Sequence, residues 1–187
     1  MRIIAGRFRG LALAAVGKGD AGAHLRPTAD RVRESLFSML TGGRFGDPVT
    51  GAVVLDLFAG TGALGLEALS RGAAQVTFVE DGRVGTKLIR DNIDKCRARD
   101  ETRLIARDAT RLPPCDAAPA TLVFLDPPYG KGLGEKALTS ALSGGWIALG
   151  ATLVWEENRP VVPPKGIAVL DARRYGDTTI TICERQE

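Results

Sequence analysis

Short, nearly continuous apolar runs recur along the chain from residue 53 onward, and stretches with helical character separate them. Such runs are typical of parallel strands that are covered on both faces, because a half-exposed strand alternates apolar and polar residues. The pattern predicts strands at residues 53–58, 75–80, 102–106, 121–126 and 151–157, and helices at residues 63–70, 83–99 and 133–142. Their alternation indicates right-handed βαβ crossovers and an α/β fold with a doubly wound, mostly parallel sheet.

The C-terminal part of the chain follows a different pattern. Residues 166–176 and 177–184 are two strand-like runs joined at Gly176-Asp177, a dipeptide that suits a tight hairpin turn. We therefore expect an antiparallel hairpin appended to the parallel strands, which brings the predicted sheet to seven strands.

The N-terminal part precedes the alternation of strands and helices. Two short strand-like runs within residues 1–13 favour a small hairpin. Thr28 is a suitable N-cap for a helix whose apolar positions share one face, and the glycines at residues 42–43 end it. Arg31 and Arg33 are expected to point away from that apolar face.

Length and composition favour a single domain over residues 1–187. With 44% hydrophobic residues, a chain of 187 residues can bury one core. Residues 1–33 contain seven basic and two acidic side chains, a local net charge of +5, whereas the whole chain carries +3. We divide the domain into a basic N-terminal extension, residues 1–48, and a core, residues 49–187. The basic extension favours an anionic partner such as nucleic acid.

Particular residue types argue against several classes of protein. The most apolar long stretch, residues 141–155, is interrupted by glycines and is shorter than the roughly 20 residues of a membrane helix. Three cysteines without a CxxC pair and one histidine, His24, supply neither a disulfide framework nor the usual zinc ligands. We expect a cytoplasmic, monomeric protein that binds neither a metal nor a membrane.

A glycine-rich loop follows the first predicted strand. Gly60 to Gly65 match the pattern GxGxxG, in which glycines let the backbone approach a ligand at the start of the next helix. Glu80 ends the second strand, where a carboxylate can accept both hydroxyls of an adenosine ribose. Nicotinamide dinucleotides and S-adenosylmethionine both contain adenosine, so these residues do not separate an oxidoreductase from a methyltransferase.

Two aspartates at strand ends extend this candidate site. Asp56 lies within the first strand, and burial of its carboxylate is unfavourable unless it is hydrogen-bonded or meets a cation such as the ammonium of a methionine moiety. Asp108-Ala109 follows the third strand and can place a carboxylate beside an adenine amino group. An ordinary loop aspartate explains Asp108 equally well.

The fourth strand ends in the tetrapeptide Asp126-Pro127-Pro128-Tyr129. The carboxyl ends of strands beside a topological switch point form the ligand crevice, so Asp126 is expected to face Gly60. The two prolines stiffen the turn and leave carbonyl groups as acceptors. An exocyclic amine could donate its N–H groups to Asp126 and the Pro127 carbonyl, while a base stacks on Tyr129. This arrangement predicts methyl transfer to nitrogen.

Together these motifs resemble the class I S-adenosylmethionine-dependent methyltransferases, and within them the bacterial 16S ribosomal RNA guanine-N2 methyltransferases of the RsmD type. The resemblance rests on the segments MRIIAGRFRG, LRPTADRVRESLFSML, VLDLFAGTGALGLEALSRGA, FVE and LVFLDPPYG, in this order. It implies a cytoplasmic enzyme with a Rossmann-like fold. It also implies methylation of guanine 966 (Escherichia coli rRNA numbering) in the small ribosomal subunit or its precursor.

The resemblance also assigns roles to individual positions. It implies a catalytic loop at Asp126, Pro127, Pro128 and Tyr129. It implies cofactor contacts at Asp56, Phe58, Ala59, Gly60, Thr61, Gly62, Glu80, Asp108 and Ala109. It implies RNA contacts at Arg2, Arg7, Arg9, Arg26, Arg31 and Arg33. Phosphates are the expected partners of Arg2, Arg7, Arg9 and Arg33, whereas Arg26 and Arg31 either approach the RNA or close over the cofactor. Phe58 and Arg107 depart from the superfamily pattern, because many relatives have glycine at those positions.

Other functions stay open on the residues alone. Methylation of adenine N6 or of a protein glutamine N5 would use a similar acceptor array, although glutamine methylation usually goes with Asn at the position of Asp126. A nicotinamide-dependent oxidoreductase fits GxGxxG but leaves Asp126 and Asp56 unexplained. A noncatalytic RNA-binding assembly factor that keeps the pocket is a further alternative.

Overall fold

The computed structural model describes residues 1–15 and 30–186. In chain order its elements are α1 (Asp30–Thr41), β1 (Val53–Leu57), α2 (Ala63–Ser70), β2 (Gln75–Val79), α3 (Arg83–Cys96), β3 (Thr102–Ile105), β4 (Ala120–Leu125), α4 (Leu133–Ser143), β5 (Ile147–Glu157), β6 (Ile167–Tyr175) and β7 (Thr178–Arg185). Short 3-10 turns lie at Arg99–Glu101 and Ala109–Arg111. Within the described ranges, no helix is long and apolar enough to cross a membrane.

The strands of the described residues form one sheet in the order β3-β2-β1-β4-β5-β7-β6. The first five strands in this order pair in parallel with their neighbours, and β7 pairs antiparallel with β5 and with β6. The chain runs outward from β1 to β3 and then crosses to β4, so β1 and β4 flank the switch point where a ligand crevice opens. The predicted seven-stranded sheet with its C-terminal hairpin is confirmed, and the hairpin places β7 between β5 and β6.

Both faces of the sheet are covered, which explains the continuous apolar runs. Val54 and Phe124 belong to one buried cluster, where Phe37 of α1 packs 5.7 Å from the Phe124 ring, centroid to centroid. Leu55 belongs to a second cluster on the opposite face, together with Leu138 of α4. Each large apolar side chain buried in this way contributes about 1.5–3 kcal/mol to folding.

Among the described residues, two element boundaries differ from their predictions by more than one residue. The helix predicted to residue 99 ends at Cys96, because Arg97 adopts the left-handed conformation (φ 52°) and closes the last turn with an N–H bond to the Asp94 carbonyl. The fifth strand begins at Ile147 rather than at residue 151. Gly150 has a positive φ of 73° within this strand, near a break in its register with β4.

The N-terminal segment, defined as residues 1–15, folds back on itself and packs against α2. Among the described residues its pairing amounts to one isolated antiparallel bridge between Arg2 and Ala12, so the predicted hairpin is confirmed in direction but not as two strands. A Cβ atom on Gly6 would lie 1.8 Å from the carbonyl oxygen of Ser70. Only glycine therefore permits this approach of segment and helix.

The buried carboxylate of Glu67 in α2 bonds the N-terminal segment to the core. Its carboxylate accepts the N–H groups of Ile4 (2.8 Å) and Ala5 (3.1 Å) and the Nε–H of Arg71 (2.8 Å). The Nε atom of Arg33 lies 3.7 Å from the same carboxylate. The single negative charge of Glu67 thus stabilises two guanidinium groups, and its oxygens also accept hydrogen bonds from two backbone N–H groups.

Arg33 does not point away from the apolar face, and that expectation is wrong. Its side chain is 0% exposed, faces Glu67, and donates to Asp30 (3.0 Å) and to the carbonyl of Arg2. A buried guanidinium needs an anion close by, and Glu67 of α2 and Asp30 supply one each, although among the described residues only its Nη2 atom makes hydrogen bonds. Arg33 is therefore not available to RNA phosphates.

Glu67→Gln should lower the free energy of unfolding by about 3–5 kcal/mol, because it removes the buried negative charge that faces Arg33 and Arg71 and leaves Arg33 with only the partly exposed Asp30, while preserving side-chain shape. Urea denaturation followed by circular dichroism measures this change. The matched control is Glu101→Gln, since Glu101 pairs with Arg7 at the surface (2.5 Å) and its loss should cost less than about 1 kcal/mol. Equal losses from the two substitutions would contradict the role given to Glu67.

Candidate active site

The glycine loop after β1 has an unusual backbone. Gly60 and Gly62 have positive φ angles of 57° and 77°, and so does Phe58, at 59°. A bulky residue seldom adopts this conformation, which is open to glycine at no steric cost, so Phe58 is an unusual residue at this point of the loop. The N–H of Ala59 donates to the Val79 carbonyl (3.0 Å) and holds the loop against the end of β2.

Asp56 is buried beneath this loop. Its side chain is 1% exposed, and Oδ2 accepts the N–H of Gly65 at 2.9 Å. A Cβ atom on Gly65 would lie 2.5 Å from the Phe78 ring and 3.0 Å from Asp56 Oδ2, so glycine permits this approach of α2 to β1. Burial raises the pKa of Asp56 to about 7, against the effect of the Gly65 bond, and the negative charge of Glu80 adds to the rise.

Glu80, at the end of β2, holds the glycine loop. One carboxylate oxygen accepts the N–H of Gly60 (2.9 Å), and the other accepts that of Gly82 (2.8 Å). Burial raises the pKa of Glu80, although these two bonds oppose the rise. Each carboxylate oxygen has a second lone pair, so Glu80 can still accept the hydroxyls of a ribose.

Asp108 lies beyond β3 and caps the short turn at Ala109–Arg111. Its Oδ1 accepts the N–H (2.8 Å) and the hydroxyl (2.7 Å) of Thr110, and these bonds lower the pKa of Asp108. The cap alone explains an aspartate at this position. A contact of Asp108 or Ala109 with adenine stays a prediction.

Asp126 follows β4 and lies beside the end of β1, where its N–H donates to the Leu57 carbonyl (3.4 Å). Burial raises the pKa of Asp126 well above its usual range, and the nearby carboxylates of Glu156, Asp56 and Glu157 raise it further. Carboxylates from three neighbouring strands are therefore crowded at one edge of the sheet.

Asp56, Glu80 and Asp126 make this edge of the sheet acidic. None of the ion pairs within residues 1–15 and 30–186 involves Asp56, Glu80 or Asp126. In the same residues, no group of three or more histidine, cysteine, aspartate or glutamate side chains could hold a metal ion. The arrangement suits a ligand that carries positive charge.

Tyr129 connects the loop after β4 to two other strands. Its hydroxyl donates to Glu156 at the end of β5 (2.9 Å) and lies 3.0 Å from the hydroxyl of Thr178 at the start of β7. Burial raises the pKa of Tyr129, so its hydroxyl keeps its proton. Of the two prolines before it, Pro127 is buried and Pro128 is exposed.

Glu156, Glu157 and Thr178 are site residues that the sequence analysis did not identify. A signal for the two glutamates was present, because they end β5, and the rule applied to the other strand ends also applies there. Thr178 gave no comparable signal, since it is 49 positions from Tyr129 in sequence.

Three of the arginines predicted to contact RNA lie around one open cavity. Arg2, Arg9 and Arg31 line a space of about 430 Å³. Asp30 and Glu34 also line it, so the cavity combines both signs of charge. Residues distant in sequence thus form one mainly basic surface on the N-terminal extension.

Arg7 and Arg33 do not line this cavity. Arg7 pairs with Glu101, and its guanidinium lies 4.4 Å from the centroid of the Phe8 ring. Arg33 is buried, and Arg26 lies outside the described residues.

Comparisons with known proteins agree with this geometry. A family model described as conserved hypothetical protein 95 matches residues 1–184. Over 148 residues the chain is 38% identical to ribosomal RNA small subunit methyltransferase D of Escherichia coli K12, covering 79% of this chain and 70% of the relative. The protein of the same name from Haemophilus influenzae is 31% identical over 181 residues, covering 94% and 89%. The solved structure of Escherichia coli yhhF, named as a methyltransferase, matches with a TM-score of 0.82 and 33% identity over 100% of this chain and 98% of that chain.

Asp56→Asn should change how stability depends on pH. Between about pH 4 and 7, folded Asp56 holds a proton that the unfolded chain releases, so the wild-type free energy of unfolding falls as the pH rises through this window. Asn has no such proton and still accepts the Gly65 N–H. Urea denaturation gives the free energy of unfolding of both proteins across this range. The value for wild type minus the value for Asp56→Asn should fall by about 2–3 kcal/mol between pH 5 and 7. A constant difference at every pH would contradict the raised pKa.

Proposed function

The chain belongs to the conserved hypothetical protein 95 family and is a methyltransferase with the class I fold, and we propose that it methylates the N2 amine of a guanine in 16S ribosomal RNA with S-adenosylmethionine. The relatives named ribosomal RNA small subunit methyltransferase D support the substrate class and disfavour a DNA, glutamine or nicotinamide-dependent alternative. The target, guanine 966, comes from the resemblance of sequence motifs. A substrate within the small subunit or its precursor implies an enzyme of the cytoplasm.

The position of Asp126 carries the proposal. It follows β4 directly beside the glycine loop of β1, and two stiff prolines follow it. An amine at this point meets a carboxylate and a carbonyl as acceptors, next to the loop that suits the methyl donor. Acceptors of this kind orient the nitrogen lone pair, which is otherwise delocalised into the guanine ring.

The residues at the crevice fit S-adenosylmethionine. When bound, this molecule supplies a methyl group on a positively charged sulfur, and it also carries an ammonium group. Asp56 would offset the ammonium charge and Glu80 would accept the ribose hydroxyls. Gly62 caps α2 without a side-chain hydrogen bond, so backbone N–H groups at this helix end can receive the carboxylate of the methionine moiety. Phe58, Ala59 and Thr61 complete the loop around it.

The protonation of Asp126 is set by its surroundings. Its raised pKa means that it takes up a proton readily when no positive charge is nearby. Positive charge in the crevice favours the ionised form, which is the form that accepts an amine N–H. Asp126 would then stabilise the charge that develops on the amine nitrogen.

Tyr129 and the basic surface would hold the RNA. The hydroxyl bonds of Tyr129 to Glu156 and Thr178 hold the outer end of its ring in place, and a base stacked on an aromatic ring gains about 1–3 kcal/mol. The cavity lined by Arg2, Arg9 and Arg31 would bind phosphates, with an affinity that decreases as salt increases.

The function is tested by methyl transfer from radiolabelled S-adenosylmethionine to unmodified small subunits and to protein-free 16S RNA. After nuclease digestion and nucleoside chromatography, the label is expected in N2-methylguanosine. Label in N6-methyladenosine or in protein would overturn the guanine assignment. Absence of label from both substrates, with donor binding intact, would indicate a binding role instead.

Asp126→Ala should lower kcat for methyl transfer by about 100-fold or more, because the amine loses its charged acceptor. The dissociation constant for S-adenosylmethionine, measured by calorimetry, should change less than about threefold. Asp116→Ala is the control, since Asp116 is exposed and pairs with Arg103 away from the crevice. If donor binding and kcat were lost together in Asp126→Ala, Asp126 would support the pocket rather than the reaction.

Glu80→Gln should weaken the binding of S-adenosylmethionine by roughly 10- to 100-fold, because hydrogen bonds to a charged acceptor contribute about 1.5–3 kcal/mol. Calorimetry measures the dissociation constant directly. Glu184→Gln is the control, because Glu184 lines a cavity at the opposite end of the strands together with Thr152. An unchanged dissociation constant in Glu80→Gln would refute the ribose contact.

A further inference from the structure

Asn92 of α3 is fully buried, although its side chain is a polar amide. Its Oδ1 accepts the N–H of Ala14 (2.6 Å), and its Nδ2 donates to the carbonyls of Ala14 (3.2 Å) and Thr61 (2.9 Å). Both donor hydrogens and an acceptor lone pair are therefore used. These three bonds offset the cost of burying the amide.

The two partners of Asn92 belong to different parts of the proposed site. Thr61 lies in the glycine loop, between the two glycines with positive φ. Ala14 lies in the N-terminal segment, which also contributes Arg2 and Arg9 to the basic cavity. One side chain thus touches the loop proposed for the methyl donor and the segment proposed for RNA.

Further contacts hold the same two parts together. The Lys95 ammonium, one helical turn after Asn92, donates to the Ala12 carbonyl (3.4 Å). The hydroxyl of Thr61 lies 3.8 Å from the sulfur of Met1. These contacts are longer than those of Asn92 and lie at the edges of the same junction. The shortest of these contacts are the hydrogen bonds of the Asn92 amide, whose side chain is fully buried.

The planar amide limits independent movement of its partners. The bonds to Ala14 use both the oxygen and the nitrogen, so they fix the orientation of the amide plane. In that orientation the second Nδ2 hydrogen points at the Thr61 carbonyl. A displacement of the loop must then either break a buried hydrogen bond or move Ala14 as well, and a broken bond would leave a buried polar group unpaired.

We propose that Asn92 is a positioning residue that couples the donor-binding loop to the N-terminal segment, so that occupation of the loop strengthens RNA binding. The proposal rests on the proposed function, because it takes the loop and the segment as the two binding surfaces. Such coupling is reciprocal, so RNA should strengthen donor binding by the same factor.

The test compares wild type with Asn92→Asp, which keeps the side-chain shape and the acceptor for the Ala14 N–H but removes both donor hydrogens. Filter binding measures the dissociation constant for unmodified small subunits with and without saturating S-adenosylhomocysteine, which cannot transfer a methyl group. In wild type the constant should fall at least about fivefold on addition of S-adenosylhomocysteine. In Asn92→Asp it should change less than about twofold.

A matched control separates coupling from stability. Ile93→Val removes one methylene group from the next buried position of α3 and leaves the three hydrogen bonds of Asn92 in place. The variant should be less stable, but S-adenosylhomocysteine should still lower its dissociation constant for the subunits about fivefold. A fivefold factor that survives in Asn92→Asp would overturn the proposal. So would a factor of one in wild type that binds and methylates the subunits.

A second measurement needs neither the variant nor RNA. Hydrogen exchange of the backbone N–H of Ala14 in wild type should slow at least about fivefold when S-adenosylhomocysteine is added, because a fixed loop fixes the amide that bonds this group. An unchanged exchange rate, with ligand binding shown by calorimetry, would overturn the coupling. If wild type binds the ligand and shows this protection but does not methylate the subunits, the proposed function fails, and only the link between the loop and the N-terminal segment stands.

Discussion

Asp56, Glu80 and Asp126 lie at the carboxyl ends of neighbouring strands, where burial opposes their negative charge. The backbone N–H groups that offset part of this cost belong to Gly60, Gly65 and Gly82. A Cβ atom on Gly82 would lie 2.7 Å from Glu80 Oε1, and one on Gly65 would lie 2.5 Å from the Phe78 ring and 3.0 Å from Asp56 Oδ2, so both positions favour glycine. The hydrogen bonds that hold the glycine loop and the proposed affinity for a cationic ligand both depend on this placement of charge.

Much of the fold could be predicted because buried parallel strands leave a strong signal. The runs at residues 75–80 and 121–126 became β2 and β4 to within one residue, and α2 matched its predicted bounds. The errors lie where one residue departs from the usual chemistry of its element. Arg97 ends α3 in a conformation that glycine normally adopts, and Gly150 lies inside β5 although glycine usually marks a loop.

The site was predictable where it follows from strand ends and not where it depends on distant partners. Glu80 and Asp126 stand at ends of strands, so the rule for open sheets located them. Arg33 carries a charge and was expected at the surface, but its partner Glu67 is 34 positions away and gave no local signal. Asn92 was missed for the same reason, since its amide serves Ala14, 78 positions earlier in the chain.

The N-terminal segment is synthesised before the groups that hold it. Ile4 precedes Glu67 by 63 residues, Phe8 precedes Ser70 by 62, and Ala14 precedes Asn92 by 78. The segment therefore reaches its final position only after α2 and α3 have emerged and folded onto the sheet. In a growing chain the basic surface is thus completed only after α3 has emerged, and a polypeptide that ends before α3 has no assembled surface for the RNA that the complete molecule is proposed to bind.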